Sequence, residues 1–355
     1  MALAHGVEPP PPRRALRALL RRAASSRRGG GPVAEGPVLT PSGPPASFSP
    51  PVFVYGATRS GTTVFRLMLN AHSGLSNPGE EDFLFDCIAP DPTHPTGWRY
   101  DREALRDHRV FAARGLDLPD GVDGLDLLKH MLERLMNNAA GVRCVNIHRH
   151  ADRIRAIFPQ ARVIHMLRDP RDVARSSVGM GWVGISYFGL DHWIRTEDAW
   201  DRAAFPDDQV LELRFERLMH DLEGELVRVC AFLGVPFVPE MLEYHRDTTY
   251  GPPDPRLTEQ WKRRADSHEV ALLEGKCGRL LAARGYEPSG PGHRPGPLER
   301  RRLKIENRLR RWPNSLRRYG LPLLVGAKLA GWLGASEMHR RLRRQMSERI
   351  TQQVR

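Results

Sequence analysis

Residues 53 to 65 read FVYGATRSGTTVF: an apolar run closing on a glycine, a second glycine after four intervening residues, then two threonines opening a new apolar stretch. The run "PVFVY" (51 to 55) has the length and composition of a buried strand, and "VFRLMLNAH" (64 to 72) has helical spacing. A strand buried on both faces needs parallel neighbours joined by helical crossovers. The chain supplies them. "ARVIHML" (161 to 167) is a second strand, preceded by the helix-like "HADRIRAIF" and followed by another helix start; "QVLELRF" (209 to 215) alternates like a third, and "EGELVRVCAFLGV" (223 to 235) is an amphipathic helix. The expected architecture is α/β: a P-loop-like, doubly wound parallel sheet flanked by helices, with no internal repeats.

Charge divides the chain into three. The formal net charge of +12 comes from its ends, with +5 on residues 1 to 48 and +13 on residues 291 to 355, which leaves −6 for residues 49 to 290. The middle therefore reads as one mildly acidic globular domain. Residues 1 to 48, rich in Arg, Pro, Gly and Ala, cannot bury enough apolar surface to offset their ordering entropy and are expected to be disordered. Their Arg-rich, acid-poor composition also fits an organellar transit peptide, although no apolar core of a secretory signal follows. Residues 291 to 355 are expected to form a basic, amphipathic helical extension.

Cys87, Cys144, Cys230 and Cys277 are scattered, forming neither a disulfide framework nor a CxxC pair. A reducing, cytoplasmic setting, small core roles and no metal are the expectation. The most apolar stretch, "YGLPLLVGAKLAGWLGA" (319 to 335), is too short and interrupted to span a bilayer and is expected to be buried or interfacial.

The loop Gly56-Ala-Thr-Arg-Ser-Gly61-Thr-Thr63 lies where a phosphate cradle would, its N–H groups and the following helix N-terminus turned toward an anion. It spells G-x4-G-T-T. Thr62 stands where a triphosphate-binding loop has lysine, and the fixed cation is Arg59, so an ordinary NTPase or nucleotide kinase is the weaker reading. A tight turn with Gly61 as a steric necessity is the bland one. A second strand-turn-helix, "VIHMLRDPRDVARSS" (163 to 177), puts Arg168 at a strand's carboxyl end and Ser176 two turns into the next helix, with Asp169 as cap and Pro170 at the first helical position. Arg and a hydroxyl so placed can bind a phosphate. Alone, this segment reads equally well as an ion-pair cluster capping a helix.

Together the two motifs resemble the signature of sulfotransferases that use 3′-phosphoadenosine 5′-phosphosulfate. The likeness continues through "LRFERLMHDLEGELVRVCAFLGVPF" (213 to 237) and "EQWKRR…ARGYEP" (259 to 288), covering most of residues 49 to 290. It implies that Arg59, Ser60, Gly61, Thr62 and Thr63 hold the 5′-phosphosulfate and that Arg168 and Ser176 hold the 3′-phosphate. It implies a donor but no metal, with Arg59 also stabilising charge on the transferring group.

"NPGEEDFLF" (77 to 85) resembles the placement of a Glu pair in tyrosylprotein sulfotransferases, which implies Glu81 as the base and Glu80 as second choice. The bland reading is a pair of acids favouring a helix start. His148 and His150 are rivals, since cytosolic small-molecule sulfotransferases use a His upstream of the second motif, but the spacing argues against direct transfer, and a lone His in such a stretch is more often on the surface or in packing than catalytic. Arg143 matches the position of the tyrosylprotein enzymes' catalytic Lys; it can stabilise charge but not readily donate a proton. A catalytically inactive binding protein of the same fold is a further alternative. The acceptor is left open among a small molecule, a glycolipid, a carbohydrate and a peptide tyrosine. The tail suggests a peripheral, anionic membrane surface, or simply a solvated helical face. No module for specific nucleic-acid recognition accompanies its charge.

Overall fold

The computed structural model describes residues 49–136, 141–246 and 248–332, with a few isolated positions beyond; the N-terminal segment expected to be disordered lies outside the described residues. Seven strands are described: β1 Val52–Tyr55, β2 Leu75–Ser76, β3 Ile88–Pro90, β4 Trp98–Tyr100, β5 Val142–Ile147, β6 Val163–Leu167 and β7 Val210–Arg214. Five of them make a parallel sheet in the order β2-β5-β1-β6-β7, while β3 and β4 pair as a small antiparallel hairpin. The principal helices are α1 Thr62–Asn70, α2 Gly124–Met136, α3 Ala151–Ile157, α4 Pro170–Gly179, α5 Asp191–Ala203, α6 Leu222–Leu233, α7 Ser267–Cys277, α8 Pro297–Tyr319 and α9 Leu321–Trp332.

The central strands are apolar on both faces because both faces are covered. Along β1, Phe53 and Tyr55 enter one core with Val145, Ile147 and Phe158, while Val52 and Val54 enter the other with Cys144, Ile164 and Met166. A third cluster, around Ala57, Val173, Trp193 and Leu273, fastens α4 to α5 and α7. Cys144, Cys230 and Cys277 are buried and all four cysteines are free.

The strand order places a topological switch at β1. The chain leaves β1 toward β2 and β5 on one side, then crosses to β6 and β7 on the other, so the loops after β1, β5 and β6 border one crevice. β5, flanked by β1 and β2, was not among the expected strands; its Arg143 and Asn146 interrupt the apolar pattern.

Among the described residues no helix is long and apolar enough to cross a membrane. The stretch 319 to 335 is described through Trp332, and α9 within it is partly buried: Leu323 and Ala330 are covered while Leu321, Val325, Leu329 and Trp332 are exposed. Contacts run across the expected boundary at residue 290. The His293 N–H donates to the Ala271 carbonyl (2.7 Å), Leu303 is buried, and the Asn307 side chain is hydrogen-bonded to the loop after α4.

Candidate active site

The loop after β1 is shaped by two left-handed residues and a close approach at Gly61. Arg59 and Gly61 both have positive φ, 74° and 96°. At Gly61 a Cβ would overlap the Phe215 ring, so the steric reading of this glycine holds, and it is compatible with an anion-binding role. Gly61→Ala should cost about 2–4 kcal/mol from left-handed strain plus overpacking, read as a lowered urea midpoint.

Gly61 also leaves α1 without a side-chain cap. The first N–H groups of a helix have no intrahelical partners, so an uncapped end at a cavity wall is an anion site in waiting. That cavity, about 1020 Å³, is lined by Thr58, Arg59, Gly61, Thr62 and Thr63 from the first loop and by Arg168 and Ser176 from the second motif. The two motifs meet: Arg59 Nε donates to Ser176 Oγ (3.0 Å), and Arg168 donates to the Arg59 carbonyl (3.0 Å) and to the Leu257 carbonyl (2.9 Å).

Arg168 lies over the Phe215 ring, its guanidinium carbon 4.2 Å from the centroid. Burial lowers its pKa below the ordinary value, against the pull of Asp172 and Glu216 and with Arg59 nearby adding repulsion. An undercompensated guanidinium of this kind is stabilised by an anion. Its Nε and the Ser60 hydroxyl are buried without a hydrogen-bond partner.

The rest of the second motif is structural. Asp169 caps α4 and accepts from the Arg171 guanidinium (2.8 Å) and the Trp261 indole (3.0 Å). Arg171 also donates to Glu274 (2.6 Å) and stacks on Trp261, while Asp172 accepts from the Trp261 N–H (2.8 Å). The ion-pair cluster anticipated for this segment therefore exists, but it is buried. It ties residues 259 to 289 to α4 while Arg168 and Ser176 face the cavity.

The expected bases separate by burial. Glu80 is exposed, lines the cavity and lies at the long limit of a hydrogen bond from Thr63 (3.5 Å). Glu81 is fully buried, ion-paired with Arg114, and does not line the cavity. Burial raises its pKa, and Arg114 opposes that shift. The structure does not bring Arg143 to the site: it is the second residue of β5, at the amino end, whereas the cavity lies at the carboxyl ends.

His148, immediately after β5, is the residue that sequence reasoning underrated. Its Nδ1 donates to Asp82 Oδ2 (2.9 Å), its backbone N–H donates to Asp82 Oδ1 (2.7 Å), and its Nε2 meets the Thr62 hydroxyl at 3.1 Å. Burial opposes its charge, but the Asp82 carboxylate outweighs this and raises the imidazole above its ordinary 6.5. Asp82 is lowered in return, burial being overcome by the charge of His148. His148 and Asp82 line a second cavity of about 560 Å³, which shares Thr58, Glu80, Arg109 and Trp182 with the first. His150 faces the same space but pairs with Asp86 (3.3 Å).

A protein-family profile described as "Sulfotransferase family" matches residues 50–239, the span holding both motifs, His148 and all five strands of the parallel sheet. An uncharacterized protein of Aquifex aeolicus (strain VF5) is 27% identical over 219 residues, 55% of this chain, which spans only 27% of that relative's length. A protein of Caenorhabditis briggsae named putative protein-tyrosine sulfotransferase is 25% identical over 214 residues, 56% of this chain and 71% of its own. Among solved structures, the sulfotransferase domain from the curacin biosynthetic pathway aligns at 21% identity over 68% of this chain and 99% of that domain, with a TM-score of 0.49. Since the matched span exceeds half of the chain, the chain belongs to the sulfotransferase family.

Proposed function

We propose that this chain transfers the sulfuryl group of 3′-phosphoadenosine 5′-phosphosulfate to an acceptor hydroxyl or amine by in-line displacement. The observation that carries the reading is the convergence of Arg59, Arg168 and Ser176 on the uncapped N-terminus of α1. Two cations, a hydroxyl and free helix N–H groups suit a ligand bearing phosphates at both ends of a nucleoside. The buried, unpartnered Arg168 Nε fits the same ligand, while Ser60 is fully buried and is not among the residues lining the cavity. Residues 59 to 63 would hold its 5′ side, and Arg168 with Ser176 its 3′-phosphate.

The donor supplies an activated sulfur–oxygen bond. In the transfer the acceptor oxygen bonds to sulfur as the bridging bond to phosphate breaks, the phosphate keeping the electron pair. Arg59 and the α1 N-terminus stabilise the charge that develops there. The acceptor's proton passes to the base. His148 Nε2 suits that role because Asp82 holds Nδ1 protonated, leaving Nε2 as the acceptor in the neutral ring; it takes a hydrogen bond from the Thr62 hydroxyl, whose place the acceptor's hydroxyl would take. Glu80 is the alternative on the cavity wall, and the buried Glu81–Arg114 pair supports the turn that carries both. The second cavity, beside His148, is where an acceptor would enter. A small alcohol, a sugar, a glycolipid headgroup and a peptide tyrosine all present the hydroxyl needed, and the name of the C. briggsae relative supports the last.

Calorimetric titration with 3′-phosphoadenosine 5′-phosphate, ATP and adenosine 5′-phosphosulfate, in the presence of a metal chelator, tests the donor. Tight binding of the first alone is expected. Binding of ATP only when Mg²⁺ is restored would favour the nucleotide kinase reading, and donor binding without turnover on any acceptor would favour an inactive binding protein.

A further inference from the structure

Helix α8 carries its apolar side outward. Leu298 (84% exposed), Ile305, Leu309 (67%), Trp312 and Leu316 are each more than a third exposed. At 3.6 residues per turn they share an arc of roughly 60°. The opposite side of the helix faces the domain: Leu303 is buried, Asn307 Oδ1 accepts from the N–H groups of Gly184 (2.7 Å) and Ile185 (3.2 Å), and Asn314 packs beside Gly181. A surface helix that only completes a core shows the reverse arrangement. Exposed Arg301, Arg302, Lys304 and Arg308 flank the stripe, and residues 297 to 319 hold nine Lys/Arg against two Glu. On α9, Leu321, Val325, Leu329 and Trp332 (83% exposed) extend the apolar surface.

We propose that this outward face docks on an anionic lipid surface, with α8 lying in the headgroup plane, its stripe among the upper acyl chains and its arginines on lipid phosphates. An interfacial helix has this composition: an apolar stripe, Trp at its edge and a basic margin. The charge selects lipid over a second copy of the chain. Two copies joined along the stripe would bring two basic margins together, and the carboxylates that could offset them are engaged within their own chain. Glu306 pairs with Arg310 (2.7 Å) and Glu299 with His293 (2.7 Å). The surface is distinct from the donor cavity, so this proposal does not depend on the chemistry assigned there.

The test is co-sedimentation of the full chain with phosphatidylcholine vesicles containing or lacking phosphatidylserine, alongside light scattering of the protein alone. Binding is expected to the anionic vesicles, from a monomer, and to weaken with salt. The pairs Ile305→Glu with Leu309→Glu, and Arg301→Glu with Arg302→Glu, should each reduce it roughly tenfold or more. These side chains are exposed, so unfolding temperature and nucleotide binding serve as controls for folding. Equal binding to both vesicle types, or undiminished binding by either pair, would overturn the proposal. A dimer that the first pair dissolves, without vesicle binding by the parent chain, would assign the face to a second copy instead.

Discussion

Arg168→Ala should weaken binding of 3′-phosphoadenosine 5′-phosphate by roughly 100-fold, about 3 kcal/mol, the scale of removing one partner from a desolvated charge pair. Adenosine 5′-phosphosulfate, which lacks the 3′-phosphate, should lose little. The contrast follows from where Arg168 sits: among the described residues its guanidinium has two carbonyl partners and an aromatic face but no carboxylate in an ion pair, and its Nε is buried and unpartnered. Arg171 serves as the control. Held between Asp169 and Glu274, it is neutralised from within, and Arg171→Ala should lower unfolding temperature because two buried carboxylates lose their cation. Equal losses by Arg168→Ala on both nucleotides would remove the 3′-phosphate assignment.

His148→Gln should lower kcat by about 10²–10⁴-fold while leaving donor affinity within a few-fold, the usual span for a positioned proton acceptor. Its pH dependence has a definite sign. The imidazole must be neutral to accept a proton, and Asp82 raises its pKa above 6.5, so kcat/KM should climb through a midpoint above that value. In Asp82→Asn the carboxylate's pull is gone while burial still disfavours the charged ring, and the midpoint should move to lower pH. For stability, the raised His148 contributes fully below its unfolded value and loses that contribution as pH rises through its folded one. The lowered Asp82 contributes above its unfolded value, and this is lost as pH falls through its folded one. The pair thus favours the fold most at mildly acidic pH. A rate profile that Asp82→Asn leaves unmoved would transfer the base to Glu80.

The features legible in the sequence are those whose cause is local. A β-branched run closing on glycine, and an Asp-Pro pair opening a helix, specify their own backbone, and the strands at 52–55, 163–167 and 210–214 lie where their patterns put them. β5 was not legible because Asn146 looks like an interruption. It is buried only because the Asn77 amide donates to its side-chain oxygen (2.8 Å) and its own amide reaches the Thr62 carbonyl (3.2 Å). The site divides the same way. Arg59, Arg168 and Ser176 belong to motifs that announce themselves, whereas Trp182 and Leu257 border the cavity from segments with no distinguishing pattern. Between Glu80 and Glu81, one residue decides which carboxylate faces the cavity, and composition does not. The tail's stripe was legible as a stripe; that it points away from the domain emerges only once Asn307 is seen anchoring the other side.

That anchor bears on the order in which the site is made. The loop carrying Trp182 walls both cavities, and its backbone is held at Gly184 and Ile185 by a side chain more than 120 positions later in the chain. During synthesis the sheet and both motifs leave the ribosome well before Asn307 does. The nascent domain should therefore emerge with the loop after β1 and the second motif in place but one wall of the two cavities unfastened, and the basic helix fastens that wall only after it too has left the ribosome.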